Sequence, residues 1–151
     1  MAKFVYKMQS LLNIKEKLEE QEKTAYGLAR AALNEEESKL AEFIAKKNFY
    51  IEEKRVGMSA ALHVHELTQL EHAIKSMEYK IAEQVLVVKQ AEKRVALAQA
   101  RLENAMKERK MQEKLREKAL EQFMQELEAT EQQEINELVT FRFGKAKERE
   151  E

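Results

Sequence analysis

The sequence predicts an all-α fold: a long antiparallel two-helix coiled-coil hairpin with an overhanging C-terminal helix. Three observations carry that expectation. Helix-breaking residues are nearly absent, apolar residues recur at steps of three and four, and one short stretch near the middle interrupts the pattern. The chain of 151 residues has no proline, no cysteine and no tryptophan, and 36% of it is charged. All 28 acids are glutamate, and aspartate, which favours caps and turns, does not occur. Such a composition fits long helices better than a packed globule.

The first helix is expected over about residues 4–57. Phe4, Met8, Leu11 and Leu18 open an apolar stripe that Ala25, Ala29 and Ala32 continue, and Leu33, Leu40, Ile44, Ile51 and Met58 follow in a shifted phase. The turn is expected over about 58–64, within "RVGMSAALHVHELTQLEH". There Gly57 can end the first helix in a left-handed conformation and Ser59 can cap the next segment. The alternative at this point is one continuous helix that dimerises through Met58 and Ala61.

The second helix is expected over about 65–143, with a frayed tail at 144–151. Leu67, Leu70, Ile74, Met77, Ile81, Gln84, Val88, Ala91, Val95, Ala98, Leu102 and Ala105 alternate steps of three and four over more than five heptads. That spacing is a coiled-coil seam. Leu120, Met124, Leu127, Leu138 and Phe141 keep a diluted form of it.

Folding the chain near residues 58–64 sets position i opposite a position near 123 − i. Ala25 then meets Ala98, Ala32 meets Ala91, Leu18 meets Ala105, and Phe4 meets Ala119. Everything after about residue 120 runs past its partner helix. Residues 119–141 of that overhang hold six glutamates and no Lys or Arg, together with Leu120, Phe123, Met124, Leu127, Ile135, Leu138 and Phe141. A lone helix with an apolar stripe gains little stability by itself, so docking on a partner is expected.

Chemistry-bearing arrangements are sparse. The three histidines lie within ten residues, but a zinc-protease pattern needs a second histidine four after His65, where Gln69 stands. His65 and His72 fall about 10 Å apart along a helix, too far to share one ion without a third ligand. Three scattered glycines build no phosphate-cradling loop. The reading is therefore non-enzymatic, with no catalytic, metal or cofactor site. The basic run Lys107–Lys118 lacks interleaved aromatics, and the net charge is −1, so no nucleic-acid partner is expected. No stretch reaches the roughly 20 apolar residues of a membrane span, and no signal-peptide pattern opens the sequence, so a cytoplasmic chain without membrane insertion is expected.

The opening "KFVYKMQSLLNIKEKLEEQEK" and the later "LENAMKERKMQEKLREKALEQF" followed by "EQQEINELVTFRF" resemble the FliJ family. These are coiled-coil stalk proteins of the bacterial flagellar type III export apparatus. Asn136 departs from the family pattern, which places an acid there. The resemblance implies an antiparallel hairpin similar to the central stalk of rotary ATPases, and three partners: the flagellar export ATPase hexamer, the cytoplasmic domain of the export gate, and export chaperones. It implies a peripheral place at the cytoplasmic face of the inner membrane, through the export apparatus. The ATPase-binding group it implies is Phe4, Leu11, Leu120, Met124, Leu127, Leu138, Phe141, Arg142 and Phe143. The gate-binding group is Leu40, Phe43, Phe49, Tyr50, Leu70, Ala73 and Met77. Phe49 and Tyr50 point about 100° apart on a helix, so only one can enter a seam and the other is open to contact. The free chain is expected to be a monomer. The equivalent stalk of a virulence secretion system would share the fold, and a self-associating structural rod is the remaining alternative.

Overall fold

A computed structural model describes residues 2–60 and 63–150. Two α-helices, α1 (Gln9–Ser59) and α2 (Val64–Glu150), pack against each other as an antiparallel hairpin, and no strand occurs among the described residues. Only residues 60–63 separate the helices. Residues 61 and 62, and with them Ala61 of the alternative dimer, lie outside the described residues.

The helix ends on either side of residues 61 and 62 differ from the expected ones. Gly57 does not end α1; it is buried, and α1 runs on through Ser59. Ser59 does not cap α2 either, because its hydroxyl donates to the Arg55 carbonyl at 3.0 Å inside its own helix. The first turn of α2 is closed by the His63 carbonyl, which accepts from the Glu66 and Leu67 amides at 3.0 and 3.2 Å.

The chain divides into two packed units, one turn-proximal (Glu20–Asn104) and one built from both termini. In the turn-proximal unit the shielded positions of α1 are Glu22, Tyr26, Ala29, Leu33, Glu36, Leu40, Phe43, Lys47, Tyr50, Lys54 and Gly57. Their spacing alternates three and four without a break, the mark of a heptad seam. Leu33, Val88, Ala91 and Val95 form the buried core, with Tyr26, Ala29 and Leu40 packed on it.

On α2 the shielded stripe falls where the spacing predicts, from Leu67 through Leu102. On α1 the phase differs from the expected one. Ala25 and Ala32 are exposed, as are Ile44 and Ile51. The large Tyr26 and Leu33 take the seam instead, because small residues such as Ala91 leave room that a second alanine would not fill. Ion pairs fix the register. Lys47 meets Glu78 at 3.5 Å and Lys54 meets Glu71 at 3.0 Å, each within two residues of the expected 123 − i.

In the unit built from the termini, Leu12, Glu19 and Ala105 are buried. The seam residue is Glu19, 5% exposed, and not Leu18, which is 39% exposed. Glu19 is tolerated because Arg109 donates to it. Residues 2–6 are not helical, so α1 begins at Gln9 rather than at Phe4. The Phe4 ring reaches Phe123, at 5.5 Å between centroids, beyond the expected Ala119. Unshielded helix therefore begins not at about 120 but after Leu127, and every described side chain from Glu128 onward is exposed. The tail expected to fray after 143 is helical to Glu150, where Lys147 and Arg149 in the last turn oppose the negative end of the helix dipole.

Replacing Leu33, 6% exposed, with alanine is expected to cost about 2–5 kcal/mol. Ile51→Ala, at a site 43% exposed, is expected to cost about 0.5 kcal/mol or less. Thermal unfolding followed by circular dichroism distinguishes the two; equal losses would reject this seam phase.

Candidate partner-docking surfaces

Around the turn, the residues implied as gate contacts divide into two kinds. Leu40, Phe43, Tyr50 and Leu70 are half-buried seam residues, Ala73 is half-buried beside the seam, and Met77 is buried at 7% exposure. Phe49 alone is well exposed, at 59%, with its ring 5.9 Å from that of Tyr50. The two adjacent aromatics thus separate as helix geometry requires, Tyr50 inward and Phe49 outward.

Phe49 lines a shallow groove with Glu52, Glu53, Val56, Gly57 and Ala60. Val56, seven residues after Phe49, extends the same apolar strip, a repeat the sequence reading did not use. Glu52 receives two hydrogen bonds from Arg55, at 2.7 and 3.1 Å, which lower its pKa and raise that of the guanidinium. Across the helices, the hydrogen bond and charge of Lys54 hold the Glu71 carboxyl below its ordinary value.

The terminal unit has a polar seam. Lys15 pairs with Glu108 at 2.8 Å, and Arg109 joins Glu113, at 2.8 Å, to Glu19. Hydrogen bonds from Arg109 to these two carboxylates raise its pKa, Glu113 contributing more than Glu19. Arg116 donates to Gln9 at 3.0 Å and lies over the Phe4 ring, 5.7 Å from its centroid. The Tyr6 hydroxyl donates to Gln112 at 3.5 Å. Arg109, Gln112 and Arg116 sit at the heptad positions that continue α2's seam, but their polarity hid the continuation from an apolar count.

The residues implied as ATPase contacts fall into a covered and an open set. Phe4, Leu11 and Leu127 are half-buried. Leu120, Met124, Leu138, Phe141, Arg142 and Phe143 are exposed, Phe141 at 60% and Phe143 at 72%. Lys145 stands over the Phe141 ring at 4.9 Å. Leu138, Phe141, Arg142, Lys145, Ala146 and Arg149 line one groove, and Glu134 and Glu137 flank Leu138 and Phe141 on the other side. Ile135 and Val139 add exposed apolar surface that belongs to neither implied set. These are open surfaces on helices; among the described residues no three histidine or acidic side chains cluster as metal ligands. His65 instead meets Gln69 at 3.3 Å, and no described helix is long and apolar enough to cross a membrane.

The lowered value at Glu71 fixes the sign of one pH effect. Its stabilisation is present above the ordinary glutamate value of 4.5 and is lost as pH falls through the lowered, folded value. The native melting temperature should therefore fall more steeply below about pH 4.5 than that of Glu71→Gln. Parallel acid profiles of the two proteins would remove this role for the Lys54–Glu71 pair.

No match was found among curated proteins or among solved structures. A family model described as flagellar FliJ protein matches residues 4–148, nearly the whole chain and both units of the hairpin. The matched span, the two-helix hairpin and the C-terminal helix unaccompanied beyond Leu127 agree with one another, and the chain belongs to the FliJ family, whose members are associated with flagellar protein export.

Proposed function

We propose that this chain is the non-enzymatic central stalk of the flagellar export apparatus: its terminal unit binds the export ATPase hexamer, its turn-proximal unit contacts the cytoplasmic domain of the export gate, and export chaperones dock along it. Such a stalk is peripheral at the cytoplasmic face of the inner membrane through those contacts. The single observation that supports this reading best is the bare segment of α2 after Leu127, which keeps Leu138, Phe141 and Phe143 in solvent while the rest of the hairpin satisfies its own seam. Contiguous exposed apolar residues on a stable helix favour a partner surface. Family membership supports a role in flagellar export, and an ATPase of the export machinery is the partner we assign to this surface. On the other unit, Phe49 and Val56 offer the open apolar strip for the gate, while Met77 and Leu40 act through the seam that holds it.

Removing Phe141 and Phe143 together (Phe141→Ala with Phe143→Ala) should weaken binding to the purified export ATPase by about tenfold or more. Helix content should stay unchanged, since neither ring is shielded. Titration calorimetry or surface binding measures the loss; unaltered affinity would reject the stalk assignment.

A further inference from the structure

From Glu121 onward α2 carries a second heptad stripe, set on a face adjacent to the hairpin seam and running into the bare part of the helix. Glu121, Met124, Glu128, Glu131, Ile135, Leu138, Arg142, Lys145 and Arg149 alternate steps of three and four without a break. Its first part is acidic, its centre apolar and its last part basic. The structure shows the same order as two neighbouring grooves. One is lined by Gln125, Glu128, Ala129, Glu131, Gln132 and Ile135, the other by Leu138, Phe141, Arg142, Lys145, Ala146 and Arg149.

We propose that this stripe is a self-recognition surface, on which a second copy of the chain pairs antiparallel about a two-fold axis between Asn136 and Glu137. Reversing the stripe about that point sets Ile135 against the partner copy's Leu138, Glu131 against its Arg142, Glu128 against its Lys145, and Met124 against the stem of its Arg149. Each contact occurs twice, as an isologous interface requires. Parallel pairing would oppose acid to acid and base to base, so the charges select the antiparallel arrangement. Ile135 is 53% and Leu138 62% exposed, which leaves an apolar layer to be covered. Glu131 and Arg142 make no ion pair with another described residue of their own chain, so both are free to form one across the axis.

The stripe is about 40 Å long, and its apolar centre is small beside the roughly 800 Å² per partner of a stable interface. Pairing is therefore weak, dependent on concentration and sensitive to salt, and it leaves the monomer dominant in dilute solution. Leu138 and Arg142 also belong to the surface assigned to the ATPase, so paired chains are a reserve form withheld from the ring. That corollary rests on the proposed function, whereas the pairing rests on the stripe alone.

Sedimentation equilibrium of the full chain, from about 10 μM to about 1 mM, tests the pairing without any other component. The native chain should dimerise at low salt and lose at least about tenfold in affinity near 1 M salt, where screening contracts to about 3 Å. Glu131→Arg and Arg142→Glu should each abolish the dimer while helicity is retained, and the double variant should restore it. A native chain that stays monomeric at every concentration, single variants that pair as well as the native chain, or a double variant that fails to recover would each overturn the proposal. A native chain that dimerises as expected but does not bind the export ATPase would count against the stalk reading only.

Discussion

The apolar seam of α2 is the constraint on which the rest of the turn-proximal unit depends. From Leu67 through Leu102 it offers a continuous stripe at steps of three and four, broken only by Gln84. A stripe of that length stays in water only at large cost, since each buried Leu, Val or Ile is worth about 1.5–3 kcal/mol. Burying it against α1 sets which face of α1 turns inward. That face then holds whatever side chains the sequence places there, polar ones included.

The consequences for α1 are specific. Lys47 and Lys54 occupy seam positions, and their stems lie along the interface while their ammonium groups reach Glu78 and Glu71 beside it. Glu36 stands opposite Gln84, whose amide donates to the Glu36 carbonyl at 2.9 Å and to its carboxylate. No buried side-chain nitrogen or oxygen among the described residues lacks a hydrogen-bond partner. Polar seam pairs of this kind add little net stability, but they penalise shifted registers, which leave a charge unmatched. The apolar core supplies attraction and the polar pairs supply the address.

The terminal unit shifts that balance. Its seam sets Lys15, Glu19, Arg109 and Arg116 beside the apolar Leu12 and Ala105, and the non-helical arm at residues 2–6 adds Phe4 and Tyr6 to it. The arm sets Phe4 against Phe123, and α2 stays shielded as far as Leu127. Beyond that point α2 is shielded by no other part of the chain among the described residues. The same helix thus serves as hairpin scaffold over one stretch and as open surface over another, and its charge order, acidic then basic, distinguishes the two.

The sequence by itself determined the helical class, the reversal near residue 60, the seam of α2 from Leu67 through Leu102, and the presence of a bare C-terminal stretch. It could do so because α2's seam is apolar, and apolar periodicity is what a single sequence displays. The family resemblance was legible in the same way, from the order of its blocks, and it implied both candidate surfaces. Tertiary structure alone decided the phase of α1, the inward place of Tyr26 and Glu19, and the helical state of Gly57. It also decided which candidate surface residues are open, leaving Phe49 and Phe141 exposed while Leu40 and Met77 enter the seam. The physical reason is common to all of these: a lysine, a glutamate or a glycine is shielded only because of what stands opposite it, and the opposite residue lies up to about a hundred positions away along the chain.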